Sequence, residues 1–303
     1  MKILLFGRNG QVGWELQRSL APLGELVAVD RRSELCGELE QLDGIAATVR
    51  AVRPDVVVNA AAYTAVDKAE SDRDAAHRIN AEAPGVLAAE AQKLGAWFVH
   101  YSTDYVFDGE GTAPWREDAA IAPASVYGAT KAEGEQLVAQ SGARHLIFRT
   151  SWVYAARGGN FLHTMLRLAQ EREKLAVVDD QFGAPTGAEL IADVTSHALR
   201  QAVAGSADGG TYHLAAAGVT NWHGYASHVI EAARRSVQGE KIRAGTIDAV
   251  PSSVYKTAAR RPHNSRLDLR KLQRTFGLTL PPWQHGVDRV LNEIGWAPAA
   301  NTP

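Results

Sequence analysis

The sequence predicts an α/β protein, a doubly wound parallel sheet with a smaller, interwoven C-terminal α/β region. Three observations carry this prediction. An apolar run, Ile3-Leu4-Leu5-Phe6, passes through a glycine-rich turn straight into an amphipathic helix. Short apolar runs then alternate with helical patterns as far as about Arg149, the signature of parallel strands joined by crossover helices. After residue 150 the alternation loosens without a repeat, a low-complexity run or a clear linker. Residues 1–150 therefore read as one unit and 151–303 as a second woven into it, with some segments returning to the first sheet.

The chain has 303 residues, 46% hydrophobic and 22% charged, with a net charge of -2. This suffices for one large domain or two smaller ones. The near-neutral balance gives no electrostatic reason to expect nucleic acid or an anionic membrane as partner. A phosphate-bearing small ligand needs only a few local donors and stays open. Cys36 is the single cysteine, so no internal disulfide is expected, and no Cys/His cluster has zinc-ligand spacing. The opening apolar run is too short for a signal peptide, and no later run could span a bilayer. A cytoplasmic protein is the expectation.

The first strand is apolar on both faces, as a strand inside a parallel sheet must be. It enters Gly7-Arg8-Asn9-Gly10-Gln11-Val12-Gly13, and a helix follows through Trp14, Leu16 and Leu20. Glycines at this spacing permit a tight turn and close backbone approach. The helix N-terminus offers amides and a positive dipole to a pyrophosphate. A turn that merely joins strand to helix is the plainer alternative, but the flanking elements favour a dinucleotide site. The second strand, 26–29, ends at Asp30, followed by Arg31 and Arg32. An acid there suits the ribose of NAD, whereas an adjacent arginine suits the 2′-phosphate of NADP. Both are present, so NADPH and NADH stay open.

A helix over 45–52 precedes a strand at 55–58 and the run Asn59-Ala60-Ala61-Ala62-Tyr63-Thr64, whose small residues let backbone approach a cofactor. Helical stretches follow at 72–80 and 83–94, with Asn80 reading as a structural hydrogen-bonder. The strand 97–101 delivers Thr103 and Asp104 at its C-terminal end, the edge where open α/β sheets bind ligands. His100 on that strand reads as a core residue. Residues 109–123 read as a loop, 126–141 as a helix and 145–149 as a strand. Beyond lie helices at 161–171, 189–202, 222–236, 268–276 and 283–293, with strands at 175–178 and 211–214.

Tyr127-Gly128-Ala129-Thr130-Lys131 opens the 126–141 helix. A spacing of four puts Tyr127 and Lys131 on one face, with Cβ atoms about 5–6 Å apart. An ammonium that close is expected to pull the phenol below its usual pKa of about 10, making a proton donor usable near neutral pH. The hydroxyl of Thr103 can hydrogen-bond the same substrate oxygen. An aromatic residue and a snorkelling lysine occur on many helices; the dinucleotide-type half around this one makes that bland reading the weaker.

These residues together resemble the extended short-chain dehydrogenase/reductase superfamily, with its Rossmann-like fold, and within it the dTDP-4-dehydrorhamnose reductases. The likeness covers nearly the whole chain, notably 7–16, 59–71, 100–109, 126–131, 148–154, 180–190 and 261–267. It implies reduction of the 4-keto group of a nucleotide sugar, dTDP-4-dehydro-β-L-rhamnose, by NADPH or NADH, with Tyr127 as proton donor. Lys131 would hold the nicotinamide ribose and tune Tyr127, and Thr103 would polarise the keto oxygen. Gly10, Gln11, Val12, Asp30, Glu38, Leu39, Ala62, Tyr63 and Thr64 fall where the family contacts the dinucleotide, beside Gly7, Gly13 and Arg31. Glu38 stands where aspartate is commoner. Thr103, Asp104 and Trp152 fall where the sugar sits, and Arg261 suits the substrate diphosphate as a bidentate donor. A surface arginine is the alternative for Arg261. Some members bind Mg²⁺ through acids at a dimer contact, and Glu15 and Glu189 match those positions, implying Mg²⁺ and a homodimer. Two such glutamates are otherwise ordinary solvated surface.

Two rival functions stand beside this reading. Dehydratase relatives carry a glutamate after the Thr-Asp pair, where this chain has Tyr105, so they lack support here; epimerases share the Tyr and Lys. The other rival is a non-catalytic NADP-binding regulatory subunit, as relatives provide for methionine adenosyltransferase. A tuned proton donor has no use in such a subunit.

Overall fold

A computed structural model describes residues 1–298. In chain order its first half contains β1 (Lys2–Phe6), α1 (Gln11–Leu20), β2 (Glu25–Val29), α2 (Leu42–Val52), β3 (Val56–Asn59), α3 (Val66–Ala69) and α4 (Arg73–His77). A π-turn, Arg78–Glu82, leads into α5 (Ala83–Leu94), then β4 (Trp97–Thr103), α6 (Val126–Gln140) and β5 (Arg144–Thr150). The second half contains β6 (Val153–Tyr154), α7 (Phe161–Glu171), β7 (Lys174–Val178), β8 (Phe182–Gly183), β9 (Thr186–Gly187) and α8 (Ala188–Val203). It ends with β10 (Gly210–His213), β11 (Thr220–Asn221), α9 (Trp222–Arg234), β12 (Thr246–Val250), α10 (Arg270–Phe276) and α11 (Trp283–Glu293).

Six strands form one parallel sheet in the order β10-β5-β4-β3-β1-β2. Alternation along β1 explains why its run is wholly apolar. Ile3 and Leu5 pack with α1, α8 and α10, while Leu4 and Phe6 pack with α2 and α5 on the other face. All four are fully buried, each contributing about 1.5–3 kcal/mol by leaving water. The strand order reverses between β1 and β3, which opens a crevice at the C-terminal edge of the sheet there. The outermost strand, β10, comes from the second half and pairs with β5. A separate core around Tyr154, Leu162, Tyr225, Val229, Trp283 and Val287 joins α7, α9 and α11.

The helical stretches expected at 72–80 and 83–94 are one path, continuous through the π-turn. At that turn Asn80 is fully buried. Its Oδ1 accepts the Tyr63 N–H at 2.9 Å, and its Nδ2 donates to the Tyr63 carbonyl at 3.1 Å and to Thr130 Oγ1 at 3.3 Å. Asn80 thus ties the 60–64 segment to α6. Helix α6 can come this close because Gly134 faces the Asn80 carbonyl, where a Cβ would sit 2.1 Å from the oxygen. Gly134→Ala is therefore expected to destabilise the protein by about 1–3 kcal/mol through overpacking against backbone. An unchanged urea midpoint would show that α6 can shift freely. Strand β12, paired with β7, was not foreseen: its Thr-Ile-Asp-Ala-Val is only half buried and carries little apolar signal.

Candidate active site

The crevice at the switch point is a groove of about 660 Å³ that continues into a recess of about 400 Å³. The two share Gly7, Asn9, Gly10, Ala61 and Ala62. At this junction backbone packs on backbone. Gly7 has φ +85°, and a Cβ on Gly13 would lie 2.0 Å from the Gly7 carbonyl oxygen. Helix α1 begins directly after Gly10, whose side of the groove therefore presents free amides. Farther along, the hydroxyls of Ser102 and Thr150 are buried and without partners at the ends of β4 and β5, and both residues line the groove. A backbone cradle with unsatisfied donors around it fits a dinucleotide.

The recess is lined by Asp30, Arg31, Arg32, Glu38 and Leu39. Asp30 is already engaged: it accepts the Arg32 amide at 2.7 Å and Asn9 Nδ2 at 2.5 Å, which together with Ser33 hold its carboxyl below the usual range. Arg31 and Arg32 are exposed, and the nearest carboxylate oxygen to Arg31, on Glu38, is 3.9 Å away. Gln11, Val12, Ala62 and Thr64 line the groove, with Gln11 Oε1 accepting from Asn160 at 2.9 Å. Tyr63 differs from expectation. Its hydroxyl donates to Asp72 at 3.0 Å and its backbone is held by Asn80, so it shapes the segment without its ring lining the groove.

Tyr127 and Lys131 line the same groove. Ser125 caps α6, its Oγ accepting the Gly128 N–H at 3.1 Å, which fixes the helix start at Val126. Lys131 does not act on Tyr127 as its spacing suggested. Its ammonium donates inward to the Tyr101 carbonyl at 2.6 Å and lies 3.1 Å from His100 Nε2. Burial, opposed by the Thr103 hydroxyl and reinforced by the Asp104 charge, pushes Tyr127 up to about 12. The expected downward shift is thus overturned: desolvation of the phenolate dominates where the lysine charge is spent elsewhere. Burial likewise pushes Lys131 down to about 8, with Glu135 opposing. His100, expected in the core, is fully buried yet in contact with Lys131.

Thr103 Oγ1 donates to Asp104 Oδ1 at 3.1 Å. Asp104 is pushed up to about 6 by burial, and its Oδ2 is unpaired. The second half builds a cleft of about 1330 Å³, with Trp222, Phe161, Arg261 and His263 in its wall. Trp152 stacks on Trp222 at 3.7 Å and holds a strained φ of +51°. Arg261 is not free: it forks onto Asp67 at 3.0 and 2.6 Å. Glu15 and Glu189 sit on the packed helices α1 and α8; burial, reinforced by the Glu15 charge, raises the Glu189 carboxyl, and Glu15 lies 3.5 Å from Arg18. Among the described residues no three His, Cys, Asp or Glu side chains gather to hold a metal. No helix among the described residues is long and apolar enough to cross a membrane.

Sequence reasoning missed the groove-lining Ser102, Thr150 and Arg157. The first two could have been found by position, since they end strands at the ligand edge; Arg157 lines the groove from a loop after β6 and had no such signal.

Residues 1–295 match the family model described as RmlD substrate binding domain. The chain is 57% identical over 295 residues to the dTDP-4-dehydrorhamnose reductase of Shigella flexneri, covering 97% of this chain and 98% of that one. It is 50% identical over 298 residues to the enzyme of the same name from Burkholderia thailandensis, covering 97% and 99%. Among solved structures, a dTDP-4-dehydrorhamnose reductase from Clostridium acetobutylicum aligns with a TM-score of 0.88 at 33% identity, covering 97% and 99%. The Bacillus anthracis reductase, solved in complex with NADP, aligns at 0.87 and 32% identity, covering 96% and 99%. With the groove, the Tyr-Lys helix and the full-length match in agreement, this chain belongs to the RmlD substrate binding domain family, among the dTDP-4-dehydrorhamnose reductases.

Proposed function

We propose that this protein reduces the 4-keto group of dTDP-4-dehydro-β-L-rhamnose to give dTDP-β-L-rhamnose, with NADPH as preferred cofactor. The observation that carries the reading is that Tyr127 and Lys131 line a groove whose backbone cradle fits a dinucleotide, with the Thr103 hydroxyl close enough to Tyr127 to act on its phenol. Bound nicotinamide supplies the hydride. The Tyr127 phenol, kept protonated by its burial, gives its proton to the keto oxygen as charge develops there. The Thr103 hydroxyl, turning its proton away from Asp104, stabilises that same oxygen. Lys131 holds the ribose of the cofactor. The stacked Trp152 and Trp222 wall the sugar, and we assign Arg261 to the diphosphate, in exchange for its fork on Asp67.

The preference for NADPH rests on Arg31 and Arg32, exposed at the recess, while Asp30 is occupied by Arg32, Asn9 and Ser33. Arg31→Ala is expected to raise KM for NADPH by about tenfold or more, the worth of a charge-assisted hydrogen bond, and to leave KM for NADH nearly unchanged. Equal changes for both cofactors would remove Arg31 from the choice. The whole reading is tested by generating the keto sugar in place from dTDP-glucose with the upstream dehydratase and epimerase, then following NADPH absorbance. Oxidation that needs every component, with dTDP-rhamnose as product, is the expected result. Tight NADPH binding without oxidation would overturn it.

A further inference from the structure

We propose that His100 is a positioning residue for this reduction: it changes tautomer, not charge, as Lys131 gains or loses its proton, and thereby couples that proton to the Asn59–Ala61 turn in the wall of the groove. The proposal rests on the reading of Lys131 as the residue that holds the cofactor ribose in the reductase.

His100, Asn59 and Lys131 are 0%, 1% and 2% exposed, so their polar atoms must find partners inside the protein. Lys131 Nζ lies 3.1 Å from His100 Nε2, and Asn59 Nδ2 lies 3.3 Å from His100 Nδ1. The orientation of Asn59 is fixed by its oxygen, which accepts the Ala61 N–H at 3.1 Å. The amide NH₂ is therefore a donor toward the ring, and an ammonium is only ever a donor. A neutral imidazole has a single acceptor nitrogen and cannot satisfy both.

Two arrangements resolve the conflict. If Lys131 is an amine, the ring donates from Nε2–H to its lone pair, Nδ1 accepts from Asn59, and every contact is made. If Lys131 is an ammonium, Nε2 must accept and the ring proton sits on Nδ1, facing the NH₂ of Asn59. That clash is relieved only when the Asn59 amide turns over, which takes the acceptor from the Ala61 N–H. Ala61 borders both parts of the dinucleotide groove. The proton count closes as a net change: Lys131 goes from ammonium to amine with one proton lost to solvent, the ring proton is on Nδ1 before and on Nε2 after, and the ring is neutral in both states. Burial keeps His100 far below its ordinary value and brings Lys131 down to about 8, so the lysine is the group that titrates. Facing the pair from α6 are Tyr127 and Glu135, the latter bound by Arg149 of β5. Asp104 stands at the end of β4, and β3 contributes only the uncharged Asn59.

The test reads the ring directly. Histidine ¹⁵N spectra of the whole chain, with no ligand added, are followed from about pH 6 to about pH 10. The His100 signals are identified by their loss in His100→Gln. They are expected to pass from the Nδ1-protonated to the Nε2-protonated pattern as pH rises, and to stop doing so in Lys131→Met. A fixed tautomer, or an exchange that survives in Lys131→Met, overturns the proposal. Independently, His100→Gln offers Lys131 a permanent acceptor, which favours the ammonium. The alkaline limb of kcat should then move upward by about one pH unit; a lower kcat with the limb in place would reduce His100 to packing. Because the spectra need no turnover, failure of the reductase reading is separately visible as a wild-type protein that exchanges tautomers but oxidises no NADPH.

Discussion

Tyr127→Phe is expected to lower kcat by at least about 10²-fold, the usual loss when a positioned general acid is removed. The ring itself is held by packing, meeting Tyr105 edge-on at 5.5 Å, so a phenyl group keeps its place and the cofactor groove its shape. KM for NADPH and the unfolding midpoint should change little, which separates lost chemistry from lost fold. Near-normal turnover would exclude Tyr127 from proton transfer. Since burial holds Tyr127 up at about 12 and Lys131 down at about 8, an alkaline limb in the wild-type rate reports the lysine and not the phenol.

Arg149→Leu is expected to cost about 3–5 kcal/mol of stability, the penalty for stranding a buried charge. Arg149 forks onto Glu135, with Nε 2.9 Å from Oε1 and Nη2 2.6 Å from Oε2, and its Nη1 donates to the Glu117 carbonyl at 3.3 Å. Both side chains are under 10% exposed, at 6% and 9%, so water cannot replace the lost partner. The bond runs from β5 to α6, one helical turn after Lys131, and therefore anchors the helix that carries Tyr127. The double substitution Arg149→Leu, Glu135→Leu removes both charges and should recover most of the loss. Denaturant midpoints of the two singles and the double decide this; a double variant as unstable as the sum of the singles would mean that the two residues do not act as a pair.

The sheet was legible because β1, β3 and β4 are buried on both faces and so carry short apolar runs, at 3–6, 56–58 and 97–99, in the sequence. The glycine turn was legible for a related reason: backbone contacts such as Gly13 on Gly7 exclude any side chain, and that exclusion writes itself as spacing. Partners that meet only through the fold left no trace. Arg261 and Asp67 are 194 positions apart, and nothing in either neighbourhood announces the other. Lys131 was read from its helix alone, which gave the correct face but not the choice between Tyr127 and the deeper acceptors, Tyr101 and His100. Helical spacing specifies where a side chain starts; burial and competing acceptors decide where its charge ends.

The pairing of β10 with β5 sets an order on synthesis. Every groove residue up to Lys131 has been made before residues 210–213 exist, so β5 must wait for its outer neighbour. At roughly 5–20 residues per second the nascent chain spends on the order of several seconds with that strand unpaired on one side. During that interval Leu146 and Phe148, which end up fully buried, lie along an open edge able to recruit a strand from another molecule. A ribosome paused within residues 150–210 would prolong this state, so codon speed across that stretch bears on how much of the protein escapes aggregation.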